Sequence, residues 1–395
     1  MKGTLTKAKG FMRRFFIYSA IFFYVVSLRA QNVGSIKGDP DFFPVSVWMQ
    51  SHTNAQAYKD IGINMFIGIW GGLDREKLDA FKDANMLVIC DQNEFGLKNL
   101  DEPAIYAWMH DDEPDNAQWN STTNQYDPCV DPAEIIRDYR QIKKNDPSRP
   151  VYLNLGQGVA WPNWIGRGEC FGDNDSYKIS KNGYLKGCDI ASFDIYPVNN
   201  YDDETSGNLW YVAKGIENLL KWSDYSKPVW CWIETTKIND QSPRKPTPSE
   251  VRSQVWMALI HGASGYGYFC HSFTTDPPFD DAAVLRDPEM VSAIREINMQ
   301  VASLARILNS PSTEGFASVV SADKSVPVAV MTKNDGDADY IFSVAMRPGA
   351  TEATFIVADG KNVEVLGENR TIRIENGKFT DSLADYGVNL YRITR

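Results

Sequence analysis

Eight short apolar runs, separated by segments of helical periodicity, constrain the fold of this chain more than any other feature. Most runs are unbroken rather than alternating, as expected for parallel strands that are buried on both faces. The runs are Val45–Met49, Asn64–Trp70, Leu87–Cys90, Ile105–Met109, Val151–Leu155, Asp189–Tyr196, Pro228–Glu234 and Gly265–Cys270. The intervening helical patterns are Asp74–Ala84, Pro132–Asn145, Leu209–Trp222, Ser249–His261 and 288–306.

This order of elements predicts an α/β fold, a (β/α)8 TIM barrel over residues 38–310. A doubly wound open sheet is the alternative, but no Gly-x-Gly-x-x-Gly motif follows the first run. After residue 312 the pattern changes to short β runs divided by Asn-Gly and Asp-Gly turns, which are hairpin signals. Residues 315–395 are therefore predicted to form a small C-terminal antiparallel β-sandwich.

The N-terminus has the pattern of a secretory signal. A basic leader precedes a 12-residue apolar run, Phe15–Val26, and Leu28-Arg29-Ala30 follows. The run is short of the roughly 20 residues that span a bilayer, so residues 1–30 are expected to be cleaved and no stable membrane span is predicted. The protein is then secreted or periplasmic. That compartment permits disulfides, and Cys129 and Cys170, both in polar loops, are the most favoured pair.

Charge and metal-ligand spacing narrow the range of partners. The net charge of −11 argues against nucleic acid and anionic membranes and is compatible with a neutral substrate. The four histidines show no metal-ligand spacing and no Cys-x-x-Cys occurs, so neither a metal nor another cofactor is predicted. The oligomeric state is left open by the sequence.

Two glutamates follow strand-like runs at their predicted C-terminal ends. Glu113 lies in His-Asp-Asp-Glu-Pro-Asp after the fourth run, and Glu234 ends the seventh. The C-terminal rim of a barrel is where catalytic residues gather, and glycoside hydrolysis needs two carboxyl groups there. The alternatives are structural: Glu113 in a carboxylate cluster that caps the following helix, and Glu234 in a salt bridge at the rim.

With these motifs, residues 44–306 resemble the retaining glycoside hydrolases of clan A, although the exact family is not identified. The resemblance implies that Glu113 is the acid/base on strand four and Glu234 the nucleophile on strand seven. It also implies that Tyr196, at the end of strand six, donates a hydrogen bond to the nucleophile.

One position departs from the clan pattern. The clan usually has Asn before the acid/base, where it contacts the sugar, and Asp112 stands there in this chain. A second carboxylate beside Glu113 would raise one of their two pKa values. Asp111 or Asp112 is thus an alternative acid, and Glu94, after the third strand, is another rim carboxylate that resembles one.

Aromatic and polar side chains near the strand ends are the predicted substrate-binding groups. Indole and phenol rings can stack on the apolar C–H faces of sugars, and polar side chains can bind hydroxyl groups. Asp194 is expected to point to the same side as Tyr196, two residues further along. The predicted set is Trp48, Trp70, Asn93, Asp112, Asn154, Asp194, Tyr196, Trp232 and His271.

Together these features predict a secreted retaining glycoside hydrolase that cleaves a β-linked poly- or oligosaccharide. A catalytically degenerate barrel that only binds glycans is the alternative, supported by Asp112. A hydrolase or lyase of another class is less favoured, because no Gly-x-Ser-x-Gly motif occurs. The connection at 157–187 is unusually long and is expected to lie over the mouth of the barrel.

Overall fold

The barrel consists of eight parallel strands arranged in chain order. A computed structural model describes residues 38–170 and 174–394, so the predicted signal at 1–30 lies outside the described residues. Strand β1 pairs with both β2 and β8, which closes the sheet. The strands are β1 Val45–Trp48, β2 Met65–Ile67, β3 Leu87–Asp91, β4 Ile105–Met109, β5 Val151–Leu155, β6 Ile190–Asp194, β7 Val229–Glu234 and β8 Gly265–Phe269.

All eight predicted strands are confirmed, with ends that differ by a few residues. The largest difference is in β2, which stops at Ile67 because Gly68 adopts a φ of +77° that turns the chain. The predicted helices are also present. The described residues form α1 Ala55–Asp60, α2 Arg75–Asp83, α3 Glu94–Leu97, α4 Pro132–Asn145, α5 Asn174–Tyr177, α6 Tyr211–Trp222, α7 Pro248–Ile260, α8 Pro288–Ser303 and α9 Ala305–Leu308.

Large aromatic side chains fill the barrel interior. Trp230 and Trp232 of β7 point inward, two residues apart, and pack against Tyr152 and Trp48. Glycine makes room for them on β8, since a Cβ at Gly267 would lie 2.2 Å from the Trp232 ring. The barrel is therefore a packed core, and a ligand has access only at its ends.

The C-terminal region is the predicted antiparallel sandwich. Its strands are β9 Ala317–Ser321, β10 Val328–Asn334, β11 Ala338–Ala345, β12 Thr351–Val357, β13 Asn362–Val365, β14 Arg370–Arg373, β15 Lys378–Leu383 and β16 Val388–Thr394. One sheet has the order β9-β12-β15 and the other β10-β11-β16-β13-β14. Strands β9 and β15 were not predicted, because their polar, half-exposed sequences lack an apolar run.

The sandwich packs on helix α7 of the barrel. Ser253 Oγ and Arg252 Nη1 of this helix donate to the Tyr386 and Val388 carbonyls, at 2.6 and 2.8 Å. The Trp256 and Phe342 rings are 5.4 Å apart. These contacts agree with a packing role for the sandwich.

Two further features of the described residues concern the sequence predictions. The Cys129–Cys170 disulfide is present and joins the β4–α4 connection to the long loop after β5, which confirms the predicted pairing. No helix in the described part of the chain is both long and apolar enough to cross a membrane.

Candidate active site

The pocket at the C-terminal ends of the strands has a volume of about 470 Å³, within the range of small-molecule sites. Carboxylates and aromatic rings both contribute to its wall. The lining residues are Trp48, Met49, Gly68, Trp70, Asp91, Met109, His110, Asp111, Asp112, Glu113, Gln118, Arg167, Asp194, Tyr196, Phe269, His271 and Phe273.

Glu113 lies in this pocket on a strained backbone. Its φ is +45°, a left-handed conformation that costs a non-glycine residue roughly 1–2 kcal/mol. Asn116 Nδ2 and Arg167 Nη2 both donate to Glu113 Oε2, at 2.8 and 2.9 Å. The side chain is 13% exposed. Two donors on one oxygen are the arrangement expected around an ionised carboxylate.

Strain also occurs elsewhere in the lining of the pocket. Met49, directly after β1, has a φ of +43°, and a Cβ at Gly68 would lie 2.3 Å from the Met49 sulfur. Strained backbone that the surrounding structure maintains is frequent at functional sites. The floor of the pocket is thus shaped by backbone conformations that its neighbours enforce.

Asp112 and Asp194 are the other two carboxyl groups of the cluster. Asp194 lines the pocket together with Glu113 and Asp112. Burial, with the neighbouring charges of Glu113 and Asp112, raises the pKa of Asp194 well above its usual range. Tyr196 Oη donates to Asp194 Oδ2 at 3.2 Å.

Asp112 is kept in place from below by Asn154, whose Nδ2 donates to Asp112 Oδ1 at 2.9 Å. Burial and the nearby Glu113 charge raise the pKa of Asp112 to about 8. Asp115 lies deeper, accepts from Gly156 N and Tyr177 Oη, and has a pKa that burial raises to about 7. Burial and the neighbouring charges thus disfavour ionisation of several carboxyl groups in this cluster.

Aromatic side chains at the ends of the first, second and eighth strands form part of the pocket wall. Trp70 is 44% exposed and stacks on His271, with ring centroids 6.1 Å apart and planes 24° apart. His271 Nε2 lies 3.1 Å from both the Trp48 and Met49 carbonyls, and burial lowers the pKa of the ring, so it is neutral near pH 7. Trp48, Trp70, Tyr196 and His271 therefore all line the pocket, as does Asp194.

Glu234 is the main departure from the sequence predictions. It is fully buried, and its Oε1 accepts from Val198 N while Oε2 accepts from Asn199 N and Nδ2, all at 2.8–2.9 Å. On either side of β7, the Tyr196 and Phe269 rings meet at a centroid distance of 5.0 Å. Glu234 does not line the pocket, because its carboxylate anchors the loop after β6, and its assignment as nucleophile stays a prediction.

The Tyr196 hydroxyl, expected to donate to Glu234, donates to Asp194 in the structure. Three predicted binding groups lie outside the pocket lining. Asn93 caps α3, accepting from Gly96 N and donating to the Leu73 carbonyl. Asn154 and Trp232 lie beneath the pocket, where Trp232 Nε1 donates to Asn154 Oδ1 at 3.0 Å. These two hold Asp112 and have no surface that reaches a ligand.

Several lining residues were not predicted from the sequence. Arg167 comes from the long loop after β5, which was expected over the mouth, but its charge was not singled out. Met49, Phe269 and Phe273 continue from strands whose ends were identified, so position alone could have indicated them. Gln118 follows the fourth strand by nine residues, and no local pattern marks it.

Comparisons with solved structures show the fold. The chain is similar to AmyP in complex with maltose (TM-score 0.55, 10% identity, covering 90% of this chain and 97% of that one). It is also similar to the α-amylase of Geobacillus thermoleovorans complexed with acarbose (TM-score 0.51, 9% identity, covering 90% of this chain and 99% of that one). A third similar structure is a catalytic mutant of Gan42B, a GH42 β-galactosidase from G. stearothermophilus (TM-score 0.52, 8% identity, covering 90% of this chain and 98% of that one). The fold is therefore one that glycoside hydrolases have.

No protein-family model matches this chain, and no curated protein matches it.

Proposed function

We propose that this protein is a secreted glycoside hydrolase that acts on a β-linked poly- or oligosaccharide. The observation that carries the proposal is the pocket at the barrel mouth, which is lined both by the Glu113 and Asp194 carboxyl groups and by aromatic rings. Rings bind the C–H faces of a sugar, and a pair of carboxyl groups supplies the chemistry of glycosidic cleavage. The β linkage follows from the resemblance to clan A, and secretion from the N-terminal signal.

The two carboxyl groups differ in environment, which separates their roles. Asp194, whose pKa is raised by burial and by the neighbouring carboxylates, is the general acid that protonates the leaving oxygen. Glu113, contacted by Arg167 and Asn116, is the carboxylate that attacks the anomeric carbon. After the leaving group departs, the Asp194 carboxylate accepts a proton from the water that hydrolyses the glycosyl ester.

A retaining outcome is proposed from the resemblance to clan A. Inverting enzymes place their carboxyl groups about 6.5–9.5 Å apart to admit a water molecule, and retaining enzymes about 5–5.5 Å apart. Glu113 and Asp194 line the same pocket, and the charge of Glu113 acts on Asp194. Retention is proposed here with Asp194 in place of Glu234 as the partner of Glu113.

A glycan-binding barrel without catalysis is the second candidate. It is favoured by one observation, the enclosure of Glu234, which removes the strand-seven carboxylate from the pocket. In that case the aromatic wall would bind a chain that the carboxyl groups do not cleave.

The deciding experiment is a screen of purified protein on β-glucans, galactans, mannans and xylans, with α-glucans included because two structural neighbours are complexes with maltose and acarbose. Release of reducing ends would be measured, with Asp194→Asn and Glu113→Gln as controls. The proposal requires release by the wild type and its loss in both controls, with proton NMR of the first product showing the retained anomer. Binding without release on every glycan would favour the second candidate.

A further inference from the structure

A second pocket lies beside the first, and Tyr196 lines both. It has a volume of about 340 Å³ and is formed by the loop after β5 and the loop after β6. Its lining includes Trp161, Ile165, Tyr196, Asn200, Tyr201 and Ile238. We propose that this second pocket binds a sugar unit of the same chain whose scissile bond lies at Glu113 and Asp194. The proposal rests on the glycosidase function above and specifies its substrate as a chain that extends past Tyr196.

The apolar side chains of the second pocket are open to solvent. Tyr201 is 69% exposed and Ile165 63%, which makes them the two most exposed large apolar residues beside the barrel mouth. An exposed tyrosine ring on the protein surface is a suitable platform for the C–H face of a sugar. The adjacent Asn200 and Asp202 supply polar atoms at the same wall.

The second pocket is also held in shape by hydrogen bonds. Trp161 Nε1 and Asn163 Nδ2 both donate to Glu204 Oε2, at 2.8 and 3.0 Å, which ties the loop after β5 to the loop after β6. Asn200 Nδ2 donates to Gln157 Oε1 at 3.1 Å across the same two loops. The two walls are thus joined before any ligand binds, which reduces the entropy lost on binding.

Glu234 acquires a role in this arrangement. Its carboxylate accepts from the backbone of Val198 and Asn199, between Tyr196 and Tyr201. The buried glutamate is therefore a positioning residue for the segment that separates the two pockets. This accounts for a carboxylate at the end of β7 that has no access to the catalytic groups.

The occupant is a continuation of the chain in the first pocket, because Tyr196 belongs to both linings. A substrate of one or two sugar units would fill the first pocket alone. Longer chains would gain the contact with Tyr201.

The experiment compares Tyr201→Ala with wild type on substrates of increasing length. An aryl glycoside of the active monosaccharide tests the first pocket alone, and oligosaccharides of four to six units test both pockets. We expect kcat/KM to fall about 3- to 10-fold on the longer substrates, the range for loss of one aromatic contact, and less than 2-fold on the aryl glycoside. Tyr201→Phe should retain wild-type values, and Met299→Ala, which truncates an apolar residue on α8 that is 63% exposed, serves as a matched control.

Binding provides a readout that does not depend on turnover. Retardation of wild type and Tyr201→Ala by the polysaccharide in affinity electrophoresis would be compared. If no glycan is cleaved but Tyr201→Ala loses retardation, the subsite stands and the proposed catalysis fails. If glycans are cleaved and Tyr201→Ala matches wild type at every chain length, the subsite is overturned and the catalysis stands.

Discussion

The ends of strands β4 and β7 look alike in sequence and differ in structure. Each is an apolar and aromatic run that leads to a glutamate at the C-terminal rim of the barrel. After β4 the backbone takes a strained turn that directs Glu113 into an open pocket. After β7 the loop of the preceding strand closes over Glu234 and supplies it with three donors. Solvent access, and not position on the strand, distinguishes the two residues.

The hydrogen-bond donors around the two glutamates also differ. The donors around Glu234 are backbone and amide groups that bind it permanently, although burial still raises its pKa to about 7. Glu113 accepts from the Asn116 amide and from the guanidinium of Arg167, which is 42% exposed. A sugar that enters the pocket can replace the contact with Arg167.

The sharpest test of the comparison is Glu113→Gln. It removes the proposed nucleophile while keeping the shape of the side chain, and we expect kcat to fall at least about 10³-fold with little change in melting temperature. Steady-state rates and thermal unfolding measure the two effects. Activity within 10-fold of wild type would show that the pocket does not use this carboxylate.

The next largest effect is expected from Asp194→Asn, about 10²- to 10³-fold in kcat, because the amide cannot donate a proton to the leaving oxygen. In the wild type, activity should decline at alkaline pH as Asp194 loses its proton. Substrates whose leaving group needs no protonation, such as dinitrophenyl glycosides, should lose much less rate in the variant. An equal loss on both kinds of substrate would argue against the acid role.

Glu234→Ala tests most directly whether the glutamates at the ends of β4 and β7 have different roles. We expect a loss of stability of about 1–3 kcal/mol, since the Val198 and Asn199 donors are left buried without an acceptor. The activity of correctly folded protein should fall about 10-fold or less. Azide can replace a missing nucleophile, so it should restore turnover to Glu113→Ala and have no effect on Glu234→Ala. Rescue of Glu234→Ala by azide would return the nucleophile to β7.

The smallest effect concerns Asp112 and pH. Its folded pKa of about 8 lies above its unfolded value, so the folded state binds the additional proton. The stability from that proton is present in full below the unfolded pKa and is lost as pH rises through about 8. Asp112→Asn keeps an acceptor for Asn154 and does not ionise. The melting temperature of the variant should therefore exceed that of wild type by about 2–4 °C at pH 9 and by less at pH 5.

Differential scanning calorimetry at both pH values checks this expectation, with Asp111→Asn as the control for an exposed neighbour on the same segment. A constant difference between Asp112→Asn and wild type across the pH range would indicate that Asp112 does not hold the proton.

Periodicity in the sequence was sufficient to predict the barrel, its eight strands and the long helices. These elements depend on local patterns: unbroken apolar runs for buried strands, and caps such as Thr247 and Glu250 that begin α7. The same patterns placed Trp48, Trp70, Asp194, Tyr196 and His271 near the rim. The strands β9 and β15, with half-exposed polar sequences, carry no such signal and form because their neighbours pair with them.

Only the tertiary structure decided which carboxylates meet. Asp194 reaches Glu113 because β6 and β4 are brought together around the closed barrel, and Arg167 reaches it from a loop 54 residues later in the chain. Glu234 is excluded because Val198 and Asn199 lie over it, a contact that no local pattern encodes. The sequence by itself determined that acidic groups occur at strand ends. Which of them share a pocket depended on long-range packing, because loop contacts set the direction and solvent access of each side chain.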